Sequence, residues 1–223
     1  MTAKLFFGTL LKLLAGIVLV GLLVFLPAGT LLFPGGLLLM GVLFVPMTVA
    51  GVVLMIARPE LLLRRLKGKE KEKTQDLVVK LSGLMFVVGF VAAGLTYRFG
   101  LYTLPFGVSV GGAVVFLLGY LLYAEVMREN TYLSRTIEVE AGQRVVDTGL
   151  YGVVRHPMYL ATLILFLSMP IVLGSLWALP IFCFYPVLIV KRIGNEEEVL
   201  LRELDGYAEY RMRVRYRLIP FVW

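Results

Sequence analysis

The sequence predicts an all-α, polytopic membrane bundle of about six transmembrane helices. Three observations carry this. Of 223 residues, 59% are hydrophobic and only 17% are charged, against about 45–50% and about 25% in soluble domains. The mean hydropathy is +0.87. The apolar residues gather in runs close to the length of about 20 that a spanning helix needs, and basic residues gather between the runs. Disorder is excluded, because there is ample apolar surface to bury. Cys183 is the single cysteine and His156 the single histidine. A disulfide scaffold is therefore excluded, and a cage of His and Cys metal ligands has almost nothing to be built from.

The first span covers about residues 10–26 and stops at Pro27-Ala28-Gly29. Lys4 and Lys12 before an apolar run also suit a signal peptide. The run is long for one, and keeping it gives a consistent topology, so it is read as a retained helix. The second span covers about residues 31–56, with Pro34-Gly35-Gly36 near its start and a kink expected at Pro46. The third and fourth cover about residues 77–97 and 106–126. The fifth begins at Pro157 and reaches about residue 173, and the sixth covers about residues 176–193. Gly174-Ser175 alone separates the last two, which predicts a tight helical hairpin. Both are near the short limit, which suggests packing inside the bundle or partial insertion. The chain reads as one membrane domain over residues 1–223. Residues 1–126 supply four helices, and residues 127–223 hold a loop, the hairpin and an amphipathic tail.

Charge placement sets the orientation. Lys4 and Lys12 lie at the N-terminus. Arg58, Arg64, Arg65, Lys67, Lys69, Lys71 and Lys73 lie between spans two and three. Arg128, Arg135, Arg144 and Arg155 lie between spans four and five, and Arg202, Arg211, Arg213, Arg215 and Arg217 follow span six. With six spans all of these share one side, and Arg98 alone is on the other. The positive-inside rule then puts both termini in the cytoplasm. Positive loops beside anionic lipid explain the net charge of +7. No basic-aromatic module calls for nucleic acid.

The polar chemistry collects in the loop between spans four and five and in the tail. Ser134-Arg135-Thr136-Ile137-Glu138-Val139-Glu140 alternates like a short extended stretch, and Ala141-Gly142-Gln143 reads as a turn. Pro157 suits the first turn of a helix, which places His156 at its cap. The positive end of that helix suits an anion such as a carboxylate. Tyr159 lies in the first turn, where its ring can cover a ligand. Taken as isolated residue types, the plainer reading is favoured: His156 caps a helix, and Tyr151 and Tyr159 are interface-belt aromatics. Arg192 and Glu196 stand four apart and share a face if the helix continues through Gly194. Glu197 and Glu198 read as parts of an exposed acidic turn. Val199, Leu200, Leu201 and Leu204 form an apolar stripe, and Asp205-Gly206 interrupts it. The segment from Tyr207 to Arg217 reads as a surface helix against the headgroups, with a lid over the loop site as the alternative.

The order of these motifs resembles one family. Val145-Val146-Asp147-Thr148-Gly149-Leu150-Tyr151, Arg155-His156-Pro157-Met158-Tyr159, the hairpin, Arg192 with Glu196-Glu197, and Tyr207-Ala208-Glu209-Tyr210 follow in turn. The series is similar to the integral-membrane isoprenylcysteine carboxyl methyltransferases, which also resemble the phospholipid methyltransferases. The likeness is specific over about residues 130–223. Ala161 stands where many members have glycine, and Asp205-Gly206-Tyr207 is one residue shorter than the common Gly-x-x-Tyr. The resemblance implies S-adenosylmethionine as cofactor, in a cytosolic pocket between the loop and the tail. Its cofactor contacts fall on Gln143, Arg144, Val145, Val146, Tyr151, His156, Pro157, Met158, Tyr159 and Glu196. Its contact to the acceptor carboxylate falls on Arg192.

The residue types suit that cofactor. Glu196 matches its ammonium or a hydroxyl, and the tyrosine rings match its adenine or sulfonium. No Gly-x-Gly-x-x-Gly unit is present, which excludes a soluble Rossmann-type methyltransferase. No catalytic acid or base is assigned and no metal is expected. The expected partner is a membrane lipid or a prenylated or lipid-linked acceptor, an isoprenylcysteine-type carboxylate first and a phosphatidylethanolamine-type amine second. Sterol reductases are similar in Arg-His-Pro-x-Tyr and in the terminal Tyr-Arg-x-Ile-Pro, where they bind a nicotinamide cofactor. The acidic residues after Arg192 and the short chain argue against that reading.

Overall fold

A computed structural model describes residues 3–66, 73–101, 103–134, 136, 139–140 and 142–223. Lys67, Lys69, Lys71, Arg135 and Glu138 lie outside the described residues, as does much of the stretch expected to be extended. The described residues form helices and no named strand. In order they are α1 (Ala3–Ala28), α2 (Pro34–Ala57), α3 (Pro59–Leu66), α4 (Lys73–Phe99) and α5 (Phe106–Glu129). A 3-10 turn at Gly149–Gly152 precedes α6 (Pro157–Val172), α7 (Ala178–Phe182), α8 (Tyr185–Glu203) and α9 (Tyr207–Arg213).

Five helical stretches are long and apolar enough to cross a bilayer: Leu5–Ala28, Pro34–Ala57, Gln75–Phe99, Phe106–Glu129 and Ala178–Glu203. Helix α6 is apolar but has only 16 residues, about 24 Å of rise against a hydrocarbon core of about 30 Å. Nine of those residues are buried, so α6 is a central strut rather than a lipid-facing span. Gly112 and Gly119 on α5 make room for it. A Cβ at Gly112 would lie 2.8 Å from Ile171, and one at Gly119 would lie 3.0 Å from Leu165. The expected sixth span lies within Ala178–Glu203, and its helix is interrupted inside that stretch. The segment α7 stops at Phe182, and α8 begins beside Pro186, whose ring suits a first helical turn and disfavours an interior one. Helix α8 then continues through Gly194 to Glu203, well past the expected end near residue 193. Helix α2 runs unbroken through Pro46.

Polar contacts sort the two ends of the bundle. At one end Leu104 N–H donates to the Gly174 carbonyl at 2.9 Å, and Ser175 Oγ bonds Thr96 Oγ1 at 3.0 Å. Arg98 approaches Gly29 at the same end. At the other end Lys12 Nζ donates to the Leu66 carbonyl at 2.7 Å. Arg58 Nη1 donates there to the carbonyls of Met127 and Arg128 at 3.3 and 3.0 Å. This second end carries the loop and the tail.

Candidate active site

The loop is built onto the end of α5. Glu129 accepts the Leu150 N–H at 2.9 Å and so holds the start of the 3-10 turn. Gly149 has φ 53°, and a Cβ there would fall 1.6 Å from Glu129 Oε1, so only glycine lets the carboxylate in. Asn130 Nδ2 donates to the Tyr151 hydroxyl at 3.0 Å. Gln143 N–H donates to the Glu140 carbonyl at 3.0 Å, and Gly142 has φ 75°, giving the expected turn. Basic residues read from the sequence as orientation signals also fasten this loop. Arg64 pairs with Glu140 at 2.6 Å, and Arg65 bonds the Ser134 carbonyl at 3.0 Å and the Tyr123 hydroxyl.

The tail closes over the loop. Arg155 N–H and His156 N–H donate to the carbonyls of Tyr216 and Arg217, each at 2.9 Å. Tyr210 hydroxyl donates to the Tyr151 carbonyl at 2.8 Å. Tyr207 and Tyr210 are buried with Leu204 and Val214, against Val139, Val145 and Leu200. The expectation of a helix lying on the headgroups is therefore corrected: α9 is a lid. Its aromatic residues Tyr207 and Tyr210 face the loop and are buried there.

Glu197 is the fastener. Expected on an exposed turn, it is 3% exposed. Its Oε1 accepts from Arg155 Nε at 2.7 Å and lies 3.3 Å from His156 Nε2. Its Oε2 accepts from Arg217 Nε at 3.1 Å. One carboxylate thus joins loop, α8 and tail. Arg155 is only 7% exposed and also donates to the carbonyls of Val214 and Arg215, so the buried charges are paired and hydrogen-bonded. His156 is the N-cap residue of α6 but makes no side-chain cap; its ring turns to Glu197 instead.

Between loop, α6, α8 and lid lies an open cavity with about 110 Å³ of enclosed space. Gln143, Arg144, Val145, Val146, Tyr151, His156, Met158, Tyr159, Arg192 and Glu196 line it. Pro157 does not; it is buried at the first turn of α6. Asn130, Tyr132, Thr136, Leu200 and Tyr207 also line the cavity and were not legible as a group. Arg192 and Glu196 share the continued helix, and Tyr159 connects them. Arg192 Nε donates to the Tyr159 hydroxyl at 2.9 Å, and that hydroxyl donates to Glu196 Oε2. Tyr151 and Tyr159 are 8% and 3% exposed, so neither is an interface-belt aromatic. Burial pushes the phenols of Tyr151 and Tyr210 well above their ordinary range, which keeps both neutral. Among the described residues no group of His, Cys, Asp and Glu is placed to hold a metal ion.

The matched region takes in the loop, the hairpin and α8. Residues 108–206 match the phospholipid methyltransferase family. The matched region therefore covers every expected contact and ends at Gly206, one residue before the lid helix. The fold agrees. A solved eukaryotic intramembrane Ras methyltransferase, ICMT (isoprenylcysteine carboxyl methyltransferase), superposes with a TM-score of 0.53 over 86% of this chain and 69% of that one, at 19% identity. Its fold is shared. Two curated relatives point elsewhere. A Delta(14)-sterol reductase of Mus musculus is 30% identical over 67% of this chain and 41% of its own length. A Delta(14)-sterol reductase of Arabidopsis thaliana is 26% identical over 67% of this chain and 46% of its own length. The chain spans less than half the length of these curated relatives. A methyltransferase family thus matches the loop, hairpin and α8, and a membrane methyltransferase shares the fold.

Proposed function

We propose that this chain is an S-adenosylmethionine-dependent methyltransferase acting on a lipid or lipid-linked acceptor, with an isoprenylcysteine-type carboxylate as first candidate. One observation carries the reading. Nine of the ten side chains assigned to the cofactor, and Arg192 assigned to the acceptor, border a single cavity at the basic end of the bundle. The donor set fits the cofactor. Glu196 suits its ammonium or a ribose hydroxyl. The first turn of α6, at Met158 and Tyr159, turns its positive end toward a carboxylate. The rings of Tyr151 and Tyr159 suit adenine or the sulfonium.

When bound, the cofactor would supply an already activated methyl group, so with a carboxylate acceptor the chain needs neither a general acid nor a general base. The chain's residues align the reactants, which can supply several kcal/mol of about 7–11 available from orientation. Lid and loop exclude water. Arg192, at the membrane end of the cavity, orients an anionic head while a lipid tail stays in the bilayer. A phosphatidylethanolamine-type amine is the second acceptor class.

The sterol reductase relatives favour a second reading, a reductase using a nicotinamide cofactor in the same cavity. Melting curves of the purified protein separate the two. S-adenosylhomocysteine should raise the melting temperature and NADPH should not; the reverse result overturns the methyltransferase reading. Labelled S-adenosylmethionine with a panel of lipid acceptors, followed by mass identification, then names the product. We further propose that the chain is one domain, with residues 127–223 as its chemical core and both termini cytoplasmic. Reporter fusions after Arg98 and Ser175 should report the outer side, and a cytoplasmic signal at either sinks that orientation.

A further inference from the structure

Two buried side-chain atoms lack a hydrogen-bond partner among the described residues: Gln75 Oε1 and Tyr207 Oη. Gln75 lies on α4, facing α8. Its Nε2 donates to Asn195 Oδ1 at 2.6 Å and to the Arg192 carbonyl at 3.2 Å, and it does not line the cavity under the lid. Tyr207 is different. It is 4% exposed, and it lines the cavity from the lid side.

The two lid tyrosines make a controlled contrast. Tyr207 and Tyr210 have ring centroids 5.7 Å apart and share one apolar cluster. Tyr210 spends its hydroxyl on the Tyr151 carbonyl at 2.8 Å. It locks lid to loop without help. Tyr207 lines the same interior but has no acceptor among the described residues. Burial, reinforced by the charges of Glu197 and Glu196, raises its phenol well above the ordinary range, so it remains a neutral donor. Leaving such a group unpaired is costly, and proteins rarely do so without a ligand or water in reach.

We infer that the Tyr207 hydroxyl donates a hydrogen bond to the cofactor that fills the cavity, and that this bond holds the lid down on it. The inference rests on the proposed function for the cofactor's identity, but not for the existence of the contact. Tyr207 lies just beyond the region matched to the phospholipid methyltransferase family, which ends at residue 206. The lid is a separate helix hinged at Gly206, φ 81°. A bond from Tyr207 to the ligand therefore makes the firmness of closure depend on occupancy. The cavity closes through Tyr210 whether or not it is filled, and more firmly when it is.

Tyr207→Phe removes the hydroxyl and keeps the ring. Three measurements on the full chain in micelles test it: calorimetric binding of S-adenosylhomocysteine and of NADPH, the melting temperature without ligand, and amide exchange over residues 205–214. The parent should bind S-adenosylhomocysteine, and Tyr207→Phe should bind it about tenfold more weakly. The unliganded variant should melt no lower than the parent, since no protein bond is lost. Ligand should slow lid exchange in the parent and much less in the variant. Equal affinities in parent and variant, as a water-bonded hydroxyl would give, overturn the inference. So does a clear loss of melting temperature in the unliganded variant, which would mean that the protein itself holds the hydroxyl. If the parent binds NADPH and not S-adenosylhomocysteine, the methyltransferase reading fails. The same comparison made with NADPH then decides Tyr207 separately. Binding of neither ligand by the parent overturns both.

Discussion

Helices α1 and α2 and the region from Asn130 onward are built on opposite terms. In the best spanning windows of α1 and α2 only 6% and 11% of residues are buried within the protein. Val18, Leu19, Leu22, Val45 and Val53 face outward. The side-chain hydrogen bonds of Thr9 and Thr48 return to their own helices. From Asn130 onward, Glu197, Arg155, Tyr151, Tyr159 and Tyr210 are each held by named partners from other segments. The outward face of the first region has only to be apolar over the right length, because lipid accepts any hydrocarbon. The second must place individual donors and acceptors. Mutational sensitivity should follow that division.

The largest effect should come from Glu197→Ala. It leaves Arg155 buried without its carboxylate and unfastens Arg217, so stability should fall by about 3–5 kcal/mol. Denaturant titration in mixed micelles measures it. Lid exchange over residues 205–217 should rise at the same time, and a loss below about 1 kcal/mol would break the comparison. Next comes Arg192→Ala. Turnover with the true acceptor should fall by roughly tenfold or more, as for loss of a charge-assisted hydrogen bond, with a smaller change in cofactor affinity. Arg192→Lys should restore it only in part, because an ammonium lacks the planar fork. Full activity in the lysine variant would reduce Arg192 to a snorkelling residue.

Glu196→Gln should weaken cofactor binding by about tenfold, whereas Glu198→Gln should not, since Glu198 is exposed. Calorimetry giving equal affinities for the two would take Glu196 out of the site. The smallest effect belongs to the first region. Val18→Leu on α1 should change stability by less than about 0.5 kcal/mol and binding not at all. A larger change would mean that α1 meets a specific neighbour rather than lipid.

The sequence showed most where local rules suffice. Pro157 after His156 marked the start of α6, and the spacing of Arg192 and Glu196 put both on one face. Both readings depend on contacts within four residues. Glu197 was illegible because its partners, Arg155 and Arg217, lie 42 and 20 residues away, and next to Glu196 and Glu198 it looks like another solvated acid. The lid was ambiguous for another reason. Tyrosines interleaved with arginines suit a headgroup layer as well as a cap, and only the Tyr151 carbonyl under Tyr210 decides between them. The break before α8 did have a signal in Pro186, obscured by the apolar run around it.

The convergence on Glu197 has a consequence for biogenesis. Translation adds about 5–20 residues per second and delivers segments in order. The loop with Arg155 is made first, then Glu197 on α8, and Arg217 last of the three. The carboxylate cannot join its three partners until the tail has left the ribosome, by which time the long apolar helices have been available for insertion. The nascent chain therefore passes through a stage in which the bundle is in place and the cavity is open. Ribosome-stalled chains should show it: those ending before Arg217 should leave the loop sensitive to protease, and those extending well beyond it should not.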